Sequence, residues 1–190
     1  MLGYPFGPLL QAIETKGGPD AVAEVKRRAE VPADRTYRMA ETYADEECQR
    51  LLAAACNVLA LDAEETCELW AEAFLEDTQK RFPAWYEMCA NSRALLEQHP
   101  EIHCGFAASL QDPEASQAVI DKFHIEKLER ELIVHYRSPN RLCLLYRALA
   151  HRVIAYYGDE ASVEETRCLH RGDAECEFHI RWAPQTSSSR

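Results

Sequence analysis

The apolar period of this chain changes once, and that change limits the fold more than any other feature. Up to about residue 110 the apolar residues recur at helical spacing. From Leu128 to Tyr136 they alternate: Leu128, Arg130, Leu132, Val134 and Tyr136 point one way, Glu129, Glu131, Ile133 and His135 the other. Before the change the pattern predicts helices over 7–14, 19–28, 43–59, 62–82, 84–96 and from Pro100 onward. Gly17 and Gly18 separate the first two. Asp62 with Glu65 three residues on is a capping box. Ile102, Phe106 and Leu110 share one face of the last. After the change, Ser138 as N-cap and Pro139 at the first position predict a helix from Asn140 to Tyr157, stopped by Gly158. A hairpin follows, with strands over 162–169 and 175–182 around Arg171, Gly172 and Asp173. Helices first and sheet later predict an α+β domain with an antiparallel sheet.

The chain has 190 residues, about one domain's worth. Its charge is −11, with no clustered lysines and arginines, so nucleic acid and anionic membranes are excluded as partners. The longest apolar stretch, Leu51 to Leu61, is broken by Asn57 and is too short to span a bilayer. The opening residues lack the basic and small-residue features of a signal peptide, which predicts a cytoplasmic protein with reduced thiols. The tail 184–190 is polar and is expected to be disordered.

Three constellations can carry chemistry. Tyr136 and Ser138 face the same side of a strand end, with Arg141 just beyond; hydroxyls, a guanidinium and a helix start make an anion site, or merely a capped helix. His103 lies on an apolar helix beside Ile102 and Phe106, suited to an axial metal ligand or to a core histidine bonded to a carbonyl. Cys168 and Cys176 are symmetric about Gly172 and so face each other across the hairpin. With Cys143 as a third thiolate and Glu165, His170 or His179 as a fourth ligand, they fit a closed zinc site; a disulfide or free thiols are the alternatives. No nucleophile elbow, phosphate loop, dinucleotide fingerprint or zinc-protease motif occurs, so the chain is not expected to be an enzyme.

At this point the chain resembles the heme–nitric oxide/oxygen binding family, H-NOX, of bacterial stand-alone type. The likeness lies in the opening MLGYPFGPLLQAI, TYRMAETYADEE, EIHC, HYRSPNRLC and the closing TRCLHRGDAECEFHIRW. The resemblance implies one domain over 1–183, with a helical part to about 82 and a heme-binding part from 83. It implies a ferrous heme b held by His103, with Tyr136 and Ser138 on the propionates, helped by Arg141. The family's arginine falls two residues after the serine, where this chain has Asn140. The family's distal tyrosine corresponds to Leu145, with Phe74 and Leu149 beside it. Such an apolar wall implies nitric oxide binding without stable oxygen binding, with release of His103 as the signal. The implied partner is a histidine kinase or cyclic-di-nucleotide enzyme. The rival resemblance is to heme-free vinyl-reductase-type regulatory modules, whose hairpin ending is similar. Some H-NOX members carry zinc at this hairpin with a histidine three residues before the first cysteine, where this chain has Glu165.

Overall fold

Helix α1 (Phe6–Arg28) contains both of the first predicted helices, and the break between them falls at the expected glycines: Gly18 takes φ 78° and leaves the helical conformation, so the two parts meet at a kink. In the computed structural model, which describes residues 1–183, α2 (Asp45–Leu59) and α3 (Ala63–Arg81) follow. Asp62 and Glu65 form the full capping box at the start of α3, with backbone bonds of 2.8 and 2.9 Å. The expected helix over 84–96 is two short ones, α4 (Pro83–Glu87) and α5 (Ser92–Leu96). Asn91 starts the second by accepting the Ala94 amide at 2.9 Å. Next come α6 (His99–Ala107) and α7 (Pro113–Ile120), the latter unforeseen although Asp112 caps it and Pro113 occupies its first turn. The expected tail, 184–190, lies outside the described residues.

The sheet is four-stranded and antiparallel, in the order β1 (Phe123–Lys127), β2 (Glu131–Tyr136), β4 (Cys176–Trp182), β3 (Ala161–Arg167). β1 is a further unforeseen element; it pairs with β2 in the register Phe123 to Tyr136. Leu132, Val134 and Tyr136 face the core, and the first residues of the expected strand, 128–130, form the preceding turn. Helix α8 (Cys143–Tyr157) ends at Gly158, whose φ is 68°. It does not begin at Asn140. Ser138 caps nothing; residues 137–142 form a loop in which Tyr136 donates to buried Asn140 and Arg141 takes φ 51°. The bond between Tyr136 and Asn140, four residues apart, overrides the capping signal.

Three apolar clusters make the core. One joins α1, α2 and α3 around Phe6, Leu51 and Trp70. A second fills the space between the sheet and α8 around Leu132, Tyr146 and Phe178. A small third holds Leu2, Ala107 and Val119. Helix α8 serves the first two at once: Leu145 and Ala148 belong to the helical cluster, Tyr146 and Val153 to the sheet cluster.

Candidate ligand cavity and metal centre

A cavity of about 150 Å³ opens where the three clusters meet. One wall carries Phe74, Leu75 and Leu149, with Leu2, Tyr4 and Pro5 from the chain's first residues. The other carries His99, His103 and Phe106 of α6, with Phe123 and Tyr146. Phe123 packs at a tilt against His103, with ring centres 4.8 Å apart, and against Tyr146 at 5.3 Å.

His99 and His103 are one helical turn apart and both line this cavity. Burial pushes the His103 imidazole down to about 3, helped by the charges of Lys122 and His99, and pushes His99 down to about 4. Both rings are therefore neutral at physiological pH, the form that ligates a metal. Neither Nδ1 has a hydrogen-bond partner among the described residues. His99 escaped the sequence reading because Pro100 marks a helix boundary; the four-residue spacing to His103 was the available signal.

The hydroxyls on the cavity wall differ in availability. Tyr4 donates to Asp77 at 2.8 Å, and Thr78 bonds the carbonyls of Phe74 and Leu75 and the Tyr86 hydroxyl. The Tyr146 hydroxyl is buried and unpartnered. Leu145, expected at the distal wall, does not line the cavity; it is buried in the helical cluster against which Phe74 and Leu149 pack. Tyr146, one position on, was not foreseen.

The anion site is divided. Tyr136 and Ser138 are buried at the end of β2, and the Ser138 hydroxyl is unpartnered. Arg141 is exposed; its amide donates to the Ser138 carbonyl at 3.1 Å, and it lines a groove with Leu52, Cys56 and His170.

On the far side of α8 the hairpin closes over a second site. Cys143, Glu165, Cys168 and Cys176 each place a ligand atom within 4.8 Å of the others. A β-bulge at 165–167 makes this convergence. The extra residue reverses the side-chain alternation, so Glu165 and Cys168 face the same side although three positions apart. All eight cysteines are free thiols, and the Cys143 and Cys168 sulfurs are 3.7 Å apart. Burial, with the neighbouring thiols, pushes Cys143 up, and it pushes Cys176 up to about 11. Of the three expected fourth ligands, His170 bonds the Arg141 carbonyl and His179 pairs with Glu131 and Glu177. Glu165 remains, with one carboxylate oxygen buried and unpartnered. A second histidine–carboxylate group, His135 with Glu175 and Glu177, is already paired to Arg137 and Arg167.

The buried side-chain atoms without partners therefore share a pattern. His99 Nδ1, His103 Nδ1 and the Tyr146 hydroxyl belong to the cavity wall, Ser138 Oγ to the adjoining loop, and Glu165 Oε1 to the thiol cluster. Each costs about 1–3 kcal/mol unless a ligand satisfies it. Such a set fits a metal-bearing group with acidic substituents at the first site and a thiophilic cation at the second.

This α+β fold with a buried histidine facing an apolar cavity defines a heme-sensor class of domain. The chain belongs to the Haem-NO-binding family, whose model matches residues 3–165. Its fold is that of solved H-NOX proteins. The Shewanella oneidensis protein, described in its Fe(II)NO ligation state, matches 97% of this chain and all of its own at 19% identity and TM-score 0.80. The K. algicida protein, Fe(II) unliganded, is 18% identical with TM-score 0.77 over the whole of both chains. An oxygen-binding H-NOX domain related to soluble guanylate cyclases is 15% identical with TM-score 0.76, covering 100% of this chain and 99% of its own. No curated protein matches the sequence. No helix of the described residues is long and apolar enough to cross a membrane.

Proposed function

We propose that residues 1–183 act as one heme-based nitric oxide sensor that reports to a separate protein. The observation that carries this reading is His103: a neutral, half-buried imidazole on the wall of an apolar cavity, whose buried Nδ1 has no partner among the described residues. A heme b held there would supply a ferrous iron able to take up a diatomic gas. Ser138 can donate to a propionate directly, whereas the Tyr136 hydroxyl must first leave Asn140.

Selectivity follows from the opposite wall. Phe74, Leu75 and Leu149 have no donor to offer, and the Tyr4 and Thr78 hydroxyls are committed elsewhere; the unpartnered Tyr146 hydroxyl is a free donor on the cavity lining, its ring packed beside His99 and Phe123. Polarised oxygen needs a donor; nitric oxide does not. An Nδ1 without an acceptor also leaves the His103 imidazole a weaker base and a weaker ligand. Release of His103 would free α6, in which only Ala107 is fully buried and which has no side-chain N-cap. Movement of that helix is what a kinase or cyclic-di-nucleotide enzyme would read. The chain itself has no assigned catalytic residue.

The thiol cluster we assign to a structural zinc ion on Cys143, Cys168, Cys176 and Glu165, tying the hairpin to the start of α8. Metal analysis of protein purified without a metal column should give close to one equivalent; less than about a tenth, with all three thiols freely titratable, refutes it.

The heme assignment is tested by His103→Gly. The variant should lose its ferrous spectrum and regain it with added imidazole. A ferrous spectrum unchanged without imidazole would falsify the ligand assignment. Wild-type protein with no Soret band favours the heme-free module. A persistent oxygen-dependent spectrum in air sinks the selectivity and points to Tyr146.

A further inference from the structure

The end of β2, which the resemblance assigns to the propionates, lacks the cation that two carboxylates need. Asn140 stands where the resemblance places an arginine; it is buried, uncharged and bonded to Tyr136. Arg141 is turned to the α2–α3 groove by its φ of 51°, and its carbonyl is held by His170 at 2.9 Å.

A different cation lies at the junction. Lys122 immediately precedes β1, and its carbonyl accepts the Arg137 amide at 2.9 Å, between Tyr136 and Ser138 in the sequence of the motif. The next residue, Phe123, is opposite Tyr136 and packs at a tilt against His103. Lys122 therefore joins the ligand helix to the anion-binding strand end. Its side chain is half-buried, and its charge is felt by His103 and by Cys48 on α2. The same stretch of α2 reaches the motif loop, where Gln49 donates to the Pro139 carbonyl at 3.3 Å.

This ammonium has no counter-charge of its own. Among the described residues no carboxylate pairs with it; Asp45, the acid it feels most, is bound to the Met1 amine at 3.0 Å. Burial consequently lowers the Lys122 ammonium from its ordinary value. A partly buried, unpaired ammonium is costly, and a carboxylate beside it removes the cost.

We propose that Lys122 is the cation that binds a heme propionate in this protein, taking the place of the arginine that Asn140 displaces. This rests on the heme reading above. The Ser138 hydroxyl and the Lys122 ammonium then bind the carboxylates from adjacent strands, and Arg141 is left free.

The test follows heme transfer to excess apomyoglobin by the Soret band, for wild type, Lys122→Met and Lys122→Arg. Lys122→Met should lose heme roughly tenfold faster, as expected for one charge-assisted hydrogen bond. Lys122→Arg, which keeps the charge, should stay within about twofold of wild type on the same argument. Loaded with iron protoporphyrin dimethyl ester, which has no carboxylates, wild type and Lys122→Met should release it at equal rates. Equal rates with ordinary heme, or a gap that persists with the ester, overturn the proposal. A wild-type chain with no Soret band removes the heme reading and this one together; a wild-type band with an unaltered Lys122→Met rate removes this one alone.

Discussion

Replacing Gly3 by alanine should damage this protein far more than the same change at Gly7, four residues away. A Cβ at Gly3 would lie 2.1 Å from the Arg38 carbonyl oxygen and 2.6 Å from the Tyr43 ring. Side-chain Cβ atoms essentially never approach within 3.0 Å, so the backbone must open by about 1 Å. The Gly3 amide bonds the Glu41 carbonyl at 2.8 Å, and that opening breaks the bond. Overpacking costs roughly 1–3 kcal/mol and the lost bond about 1 kcal/mol more. A total of about 3 kcal/mol lowers the melting temperature by roughly 6–12 °C at this chain length. At Gly7, on α1, a Cβ meets nothing within 4 Å, and alanine should raise stability by about 0.5 kcal/mol through its better helix propensity. Thermal melts of the two variants by circular dichroism decide the matter. Gly3→Ala melting within about 1 °C of wild type, or together with Gly7→Ala, would refute the close-approach argument. Leu2, Tyr4 and Pro5 line the cavity, so Gly3→Ala should also slow heme uptake.

Two further outcomes are expected. Asp62→Ala removes one half of the capping box and should cost about 1 kcal/mol, read as a lower urea midpoint with an unchanged slope. Heme-free protein should lose stability as the pH falls from about 6.5 towards 4: His99 and His103 are held neutral in the fold, pushed down to about 4 and 3 by burial, while the unfolded chain protonates both near 6.5. The unfolded state binds more protons across that window, so the slope has the sign of stability rising with pH, at most roughly 3 kcal/mol per pH unit. A His99→Phe variant should show about half that slope; an equal slope would show that His99 does not contribute.

Elements whose determinants are adjacent in sequence were the legible ones. The α3 cap needs only residues 62–65, and α8 stops where Gly158 allows a positive φ. The hairpin symmetry about Gly172 brought Cys168 and Cys176 together on the page because both belong to one turn. What helix and strand patterns miss is decided by a partner strand or by side-chain bonds within a loop. β1 is five residues long and carries a histidine, a glutamate and a lysine; it is a strand because β2 offers it a ladder. Ser138 and Pro139 have the chemistry of a helix start, yet Tyr136 and Asn140 bond each other and delay α8 to Cys143. Glu165 could not be separated from His170 and His179 by spacing alone, because the bulge that turns it towards the thiols leaves no composition signal.

In mechanical terms α8 is a beam fixed at both ends. At its start Cys143 packs on Cys168; just past its end Asp159 accepts bonds from the Ser92 amide and hydroxyl at 2.8 and 2.5 Å. Tyr157 donates to the Tyr86 carbonyl at 2.9 Å, and Arg147 and Arg152 brace its flank against Glu64 and Glu72 on α3. The opposite wall of the cavity, α6, is held more lightly among the described residues, by the Ser116 hydroxyl donating to the Ala107 carbonyl at 3.1 Å and by Gln98, just before its start, donating to the Cys89 sulfur at 3.3 Å. On the proposed reading, load generated inside the cavity would meet a stiffer member on one side than on the other, so displacement would fall on α6 before the beam and the sheet behind it.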